Sequence, residues 1–263
     1  MKLKDKVAVV TGGGRGIGKA ICLAFAGEGA NVAVVADVKS EVGQVAGQIE
    51  KLGRKALPYS LDITRPEEVK AMADVVGNTF GKIDILVNNA GVVGKRFFLC
   101  ESDDDIWRRT IEVNLFGTYY VTKTILPIIM EQKKGRVINI ASTAGKQGSP
   151  TNSAYSASKH AVIGLTRTVA AELGLLGFTE ITANAICPGA TKTDMLFGDL
   201  DEWTRLLGTT REKILIENVF PRSIQRRLIE PEEIAGMAVY LASDVGRGIT
   251  GQAINVCAGS VFY

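Results

Sequence analysis

Val7-Ala8-Val9-Val10-Thr11-Gly12-Gly13-Gly14-Arg15-Gly16-Ile17-Gly18 joins a short apolar run to a glycine cluster and then to the start of a helical pattern. Val7–Val10 lacks polar alternation, as expected of a strand buried on both faces. Ile17–Glu28 carries helical periodicity. Strand, glycine turn and helix in that order bring bare backbone N–H groups and a positive helix N-terminus to one point, where a pyrophosphate could be held. The spacing is not G-x-G-x-x-G, and it is not a P-loop, because no Gly-Lys-Ser/Thr follows. The competing reading is a turn that serves packing alone.

The alternation continues outward from this unit. Strands are expected at Asn31–Ala36, Ala56–Ser60, Ile83–Val87, Arg136–Ile140, Ile181–Ile186 and Ala253–Val256. Helices are expected at Glu41–Leu52, at Pro66–Phe80 with proline in its first turn, at Asp104–Gln132 with an interruption or kink near Pro127, at Ser153–Leu173 and at Glu232–Ala242. Repeated β-α units predict an α/β fold, a doubly wound parallel sheet of seven strands with helices on both faces. No linker divides residues 1–263, so one domain is expected. Ligands of such sheets sit at the carboxyl ends of the strands. The segment of about 190–227 breaks the rhythm, and reads either as a substrate lid beside that edge or as a packed helical pair at a subunit interface.

Hydrophobic residues make up 46% and charged residues 22%, ordinary for a soluble enzyme. A net charge of +3 is too small to argue for nucleic acid or a membrane surface. No apolar stretch could span a bilayer, and no leader precedes Val7, so a cytoplasmic protein is expected. Cys22, Cys100, Cys187 and Cys257 are scattered and read as free thiols. With His160 the single histidine, no metal site and no Ser-His-Asp hydrolysis are expected.

Asp37 follows the second expected strand. A carboxylate there hydrogen-bonds adenosine ribose hydroxyls and repels a 2′-phosphate. Arg15 pulls the other way, since a cation in the glycine turn could accept that phosphate. The carboxylate acts at the ribose directly, so NAD is expected over NADP.

Tyr155-Ser156-Ala157-Ser158-Lys159 places a phenol and an ammonium one helical turn apart. An ammonium beside a phenol favours the phenolate and lowers its pKa, so the pair could move a proton to or from an alcohol oxygen. Loss of hydride from an alcohol carbon must be matched by loss of a proton from its oxygen. Ser142, at the end of the fifth strand, could position that oxygen. A solvated lysine, a turn serine and a buried asparagine at 114 are the plain alternatives. His160 is expected to be structural.

Thr11–Gly18, Asn88-Asn89-Ala90-Gly91, Asn114, Ser142, Tyr155/Lys159 and Pro188-Gly189 stand in the order and approximate spacing of the short-chain dehydrogenases/reductases, and the chain resembles that family over nearly its whole length. The resemblance implies a single Rossmann-type domain with strand order 3-2-1-4-5-6-7, a nicotinamide cofactor and a homotetramer or homodimer. It implies that Gly12, Gly16 and Gly18 form the pyrophosphate turn, with Arg15 and Ile17 in the same site. Asp62 would meet the adenine edge beside Ile63. Asn88, Asn89, Ala90 and Gly91 would close the fourth strand's end around the cofactor. Pro188, Gly189 and Thr193 would flank the nicotinamide near Ile186. Asn114 would hold a water linked to Lys159, Ser142 would bind the substrate oxygen, Tyr155 would transfer the proton, and Lys159 would bind the nicotinamide ribose.

Ile140–Gly148, Tyr155–His160 and Asn255-Val256-Cys257 are similar to polyketide ketoreductases and 3-oxoacyl-thioester reductases. Two departures stand out: Asp37, where those NADPH enzymes carry a basic residue nearby, and Ala258-Gly259, where many members have Gly-Gly. The reading is an oxidoreductase transferring hydride between NAD(H) and a small secondary alcohol or ketone. Val93, Phe97, Met195, Leu196 and Phe197 suggest a hydrophobic or hydroxyacyl-type substrate. Arg222, Arg226 and Arg227 form a solvated basic face or meet a carboxylate or phosphopantetheine group. The alternatives are an NADPH-dependent 3-oxoacyl-thioester or polyketide ketoreductase and, from another class, a non-catalytic dinucleotide-binding sensor.

Overall fold

Alternate residues of β1 (Val7–Thr11) enter opposite cores: Val7 and Val9 one, Ala8 and Val10 the other. β2 (Asn31–Ala36) does the same, with Val32 and Val34 on one face and Ala33 and Val35 on the other. That is why these runs carry no polar alternation. The computed structural model describes residues 1–263. β3 (Ala56–Ser60), β4 (Ile85–Asn88), β5 (Gly135–Ile140), β6 (Ile181–Pro188) and β7 (Ala253–Val256) complete one seven-stranded sheet, ordered β3-β2-β1-β4-β5-β6-β7 and parallel at every pairing.

Helices α1 (Gly16–Gly27) and α2 (Lys39–Lys51) cover one face through Ile21, Phe25, Val45 and Ile49. α3 (Pro66–Phe80) covers the other through Val69, Met72 and Val76. The helix expected over residues 104–132, interrupted or kinked near Pro127, is broken elsewhere, into two helices. α4 (Asp104–Ile111) and α5 (Thr118–Glu131) are joined by a π turn, Glu112–Gly117. Pro127 lies inside α5 without ending it. Close packing accounts for the site of the break: a Cβ at Gly117 would run into the side chain of Ile63. Such π turns recur at functional sites, and this one carries Asn114.

α6 (Ser153–Leu175) follows β5 and bears the Tyr155/Lys159 pair. The segment after β6 folds into α7 (Asp194–Leu207) and α8 (Arg211–Ile214), then turns Leu215–Val219 and Phe220–Arg222. α9 (Pro231–Ala242) returns to pack against α1 through Ile234, Ala235 and Ala238. No helix is long and apolar enough to cross a membrane. β1 is bonded on one side to β2 and on the other to β4, so the strand order reverses there. The carboxyl ends of β1, β4, β5 and β6 therefore frame the crevice where ligands of this architecture bind.

Candidate active site

One cleft, with a cavity volume of about 480 Å³, runs along these strand ends. The residues expected to bind a cofactor line it except Gly18 and Asn88, the latter buried with its Nδ2 donating to Thr122 Oγ1 at 2.9 Å and to Asn139 Oδ1 at 2.8 Å. Gly12 and Gly16 have φ of 61° and 52°, the left-handed region that glycine enters without steric cost. A Cβ on Gly12 would lie 2.7 Å from Asn89 Nδ2 and 2.8 Å from Ala90 Cα. Asn89 Nδ2 donates to the carbonyls of Thr11 and Gly12, both at 3.0 Å, so Asn89 braces the turn from behind. Gly18 has a packing role rather than a lining one, because a Cβ there would strike the Gly12 carbonyl. Bare left-handed backbone facing an open cleft at a helix N-terminus fits the phosphates of a dinucleotide.

Asp37 is exposed at the end of β2 and lines the cleft. Arg15 is largely solvent-facing, with its Nε 4.0 Å from Glu41 Oε2 on α2. A Cβ on Gly14 would lie 2.9 Å from the same oxygen, so Glu41 lies over the glycine turn. Reading the sequence missed this second carboxylate; its place four residues after Asp37, on the helix facing the turn, was the available signal. Asp62 accepts hydrogen bonds from Thr64 N and Oγ1 at 2.9 and 2.8 Å and from Arg109 Nη2 at 3.0 Å. Burial would raise its pKa, but these donors outweigh it and hold the carboxyl below its usual range. Thr193 caps α7, accepting from Leu196 N at 3.3 Å, and its methyl faces Gly16. Gly189 donates to the Val256 carbonyl at 3.0 Å, joining the ends of β6 and β7.

Ser142, Tyr155 and Lys159 meet deeper in the cleft. Ser142 Oγ accepts from Ala144 N at 3.0 Å, so the serine does cap a short turn, and its own proton is left to donate. Lys159 is buried, donates to the Ile140 carbonyl at 2.8 Å and lies 5.6 Å from the centre of the Tyr155 ring. The expected lowering of the tyrosine pKa by this ammonium is not found. Burial pushes the Tyr155 phenol up to about 12, against a hydrogen bond with Ser142 that lowers it. Burial likewise pushes Lys159 down to about 8. Asn114 does not line the cleft: it is fully buried behind Gly91, bonded to Val92 N and O at 2.8 Å each and to Ser158 Oγ at 3.0 Å. His160 is exposed, with its Nδ1 2.8 Å from the Ser156 carbonyl of its own helix.

The outer wall differs from expectation. Met195, Leu196 and Val93 line it, but Phe97 and Phe197 do not. Those two rings lie under the guanidiniums of Arg205 and Arg211, at 6.0 and 5.4 Å. Polar groups share the wall, among them Gln147, Ser149, Asn152 and Asp199. Of the three expected basic residues, Arg222 and Arg227 line the cleft, Arg222 beside Trp203 and Arg227 held by Glu233 at 2.6 and 2.7 Å, while Arg226 stays outside.

A family model for the short chain dehydrogenases matches residues 6–202. The chain belongs to the short-chain dehydrogenase/reductase family. Among curated relatives of this short-chain dehydrogenase/reductase, the 3-oxoacyl-(acyl-carrier-protein) reductase of Thermotoga maritima is 36% identical over 262 residues, covering 99% of this chain and 100% of the relative. Among solved structures, an NAD+-bound xylitol dehydrogenase superposes with TM-score 0.94 at 31% identity, covering 98% and 100% of the two chains. Actinorhodin polyketide ketoreductase with NADPH superposes with TM-score 0.92 at 34% identity, covering 98% of each. This short-chain dehydrogenase/reductase is therefore an NAD(P)-dependent oxidoreductase.

Proposed function

We propose that this enzyme interconverts a small-molecule secondary alcohol and its ketone with NAD(H). The convergence of Ser142, Tyr155 and Lys159 at one end of a cleft whose other end holds Asp37 and Glu41 carries this reading. A bound nicotinamide cofactor supplies or accepts the hydride. Ser142 holds the substrate oxygen by donating to it. Tyr155 gives its proton to that oxygen on reduction and takes it back on oxidation. Lys159 binds the nicotinamide ribose, from a place 5.6 Å from the centre of the Tyr155 ring. Asn114 shapes the floor under Gly91 and offers the π-turn backbone to a water linked to Lys159. Gly12, Arg15, Gly16 and Ile17 hold the pyrophosphate, Gly18 letting their turn close. Asp62 and Ile63 border the adenine, Asn89, Ala90 and Gly91 the β4 side, and Pro188, Gly189 and Thr193 the nicotinamide.

NAD rather than NADP is supported by two carboxylates at the ribose end and by the pairing of Arg15 with one of them. The same cation, lining the cleft, supports a second reading as an NADPH-dependent 3-oxoacyl-thioester or polyketide ketoreductase. The named neighbours divide in the same way, one carrying NAD+ and one NADPH. A sensor lacking catalysis has no support in a site whose serine, tyrosine and lysine are all in place. Residues 190–227 act as a lid on a substrate that is hydrophobic or hydroxyacyl-like near Met195 and Leu196. The four free cysteines suit the cytoplasm. Exposed Phe116 in the π turn and Tyr119 at the start of α5 suit a homotetramer.

A panel of secondary alcohols and ketones, followed at the NADH absorbance band with each cofactor, tests the proposal. Turnover with NAD(H) at least about tenfold better in kcat/KM than with NADP(H) is expected. A strong NADPH preference would transfer support to the ketoreductase reading.

A further inference from the structure

Arg96 is a charged side chain only 5% exposed, and the proposed chemistry gives it no task. Its Nε and Nη2 grip both oxygens of Asp199 on α7, at 2.8 and 2.6 Å. Its Nη1 donates to the Pro150 carbonyl and to Thr151 Oγ1, both at 3.1 Å. Its guanidinium lies 4.3 Å from the Trp203 ring, also on α7, and its carbonyl accepts from Arg205 at 3.3 Å. One side chain thus joins the loop after β4, the loop after β5 and the helix after β6, three walls of the same cleft. Thr151 sits at φ 65°, a conformation a β-branched residue adopts only when its surroundings hold it there. A planar five-donor fork can make all these bonds at once; a lysine could not.

We propose that Arg96 and Asp199 are positioning residues for substrate: their ion pair pins α7 across the outer cleft and so sets the wall formed by Met195, Leu196 and Trp203. The inference rests on the reading of this cleft as the alcohol/ketone site. The fork grips α7 at Asp199 and Trp203, beyond the Thr193 cap that faces Gly16, so cofactor affinity is read beside substrate affinity when it is released. Removing either partner leaves the other charge buried and unpaired, which frees α7 instead of letting it repack.

The test compares Arg96→Gln, Asp199→Asn and the conservative Asp199→Glu with wild type. Hydrogen exchange is read on residues 194–207 without substrate, and steady-state kinetics on the best ketone of the panel. In the first two variants α7 exchanges about tenfold faster or more, and the ketone KM rises about tenfold or more. Their kcat, read at each variant's own pH optimum because the Asp199 charge helps raise the Tyr155 phenol, stays within about threefold and their NADH Kd within about twofold of wild type, and Asp199→Glu recovers most of the KM. Unchanged exchange in α7 overturns the pinning. An unchanged KM, or a NADH Kd that rises in step with it, overturns the substrate role. Wild-type enzyme that turned over no ketone or alcohol with either cofactor would instead overturn the proposed function, and the substrate role with it.

Discussion

Glu41 holds its carboxylate 4.0 Å from the Nε of Arg15, above the glycine turn and on the same side of the cleft as Asp37. The cation that could receive a 2′-phosphate is thus already partnered, and the phosphate would meet two negative charges. The ion pair itself is exposed and contributes little to stability; its effect is on which anion can approach.

Cofactor choice then follows from charge at the ribose end. Glu41→Gln is expected to raise the NADP/NAD ratio of kcat/KM several-fold and Asp37→Ala about tenfold, with the double variant higher than either. Binding of 2′,5′-ADP against ADP, measured calorimetrically, should follow the same order. No change in that ratio for Asp37→Ala would remove the carboxylate from the specificity argument.

The buried lysine has a pH signature in stability. Burial pushes Lys159 from the ordinary lysine value of 10.5 down to about 8, so between those values the unfolded chain binds more protons than the native one. Stability therefore rises with pH across that window, and the cost of burying the charge is greatest below pH 8. Lys159→Met should stabilise the fold by about 1–2 kcal/mol at pH 7 in urea denaturation, with the gain shrinking toward pH 10.5, while turnover is lost. A gain that did not change with pH would show packing, not charge, to be the cause.

Ala258 occupies φ 51°, where its Cβ is strained and a glycine is not. A left-handed non-glycine residue costs about 1–2 kcal/mol, and the entropy of glycine in the unfolded chain offsets part of any gain. Ala258→Gly is expected to stabilise by roughly 0.5–1 kcal/mol. Destabilisation on chemical denaturation would mean that the methyl packs well enough to outweigh the strain.

The strands and the glycine turn were legible because they depend on local signals: unbroken apolar runs, proline at a helix start, glycine between strand and helix; the order of the sheet came from the family resemblance. The π turn at Glu112–Gly117 was not, because it depends on Gly117 meeting Ile63 across the fold. Arg96 and Asp199 are 103 residues apart, and nothing local to either announces the pair. Phe97 and Phe197 were read as substrate contacts from hydrophobicity alone, yet each ring is covered by an arginine. The Tyr155/Lys159 spacing was read correctly as a pairing on one helix. The electrostatic balance was not, because desolvation depends on everything packed around the pair.

Tyr155→Phe is the most direct test of the central claim, which is that the Tyr155 hydroxyl carries the proton between substrate and protein. Turnover of the best alcohol and affinity for NADH would be measured side by side. The account predicts a fall in kcat of about a hundredfold to ten-thousandfold with NADH Kd within about twofold of wild type. Full turnover in the variant would contradict it.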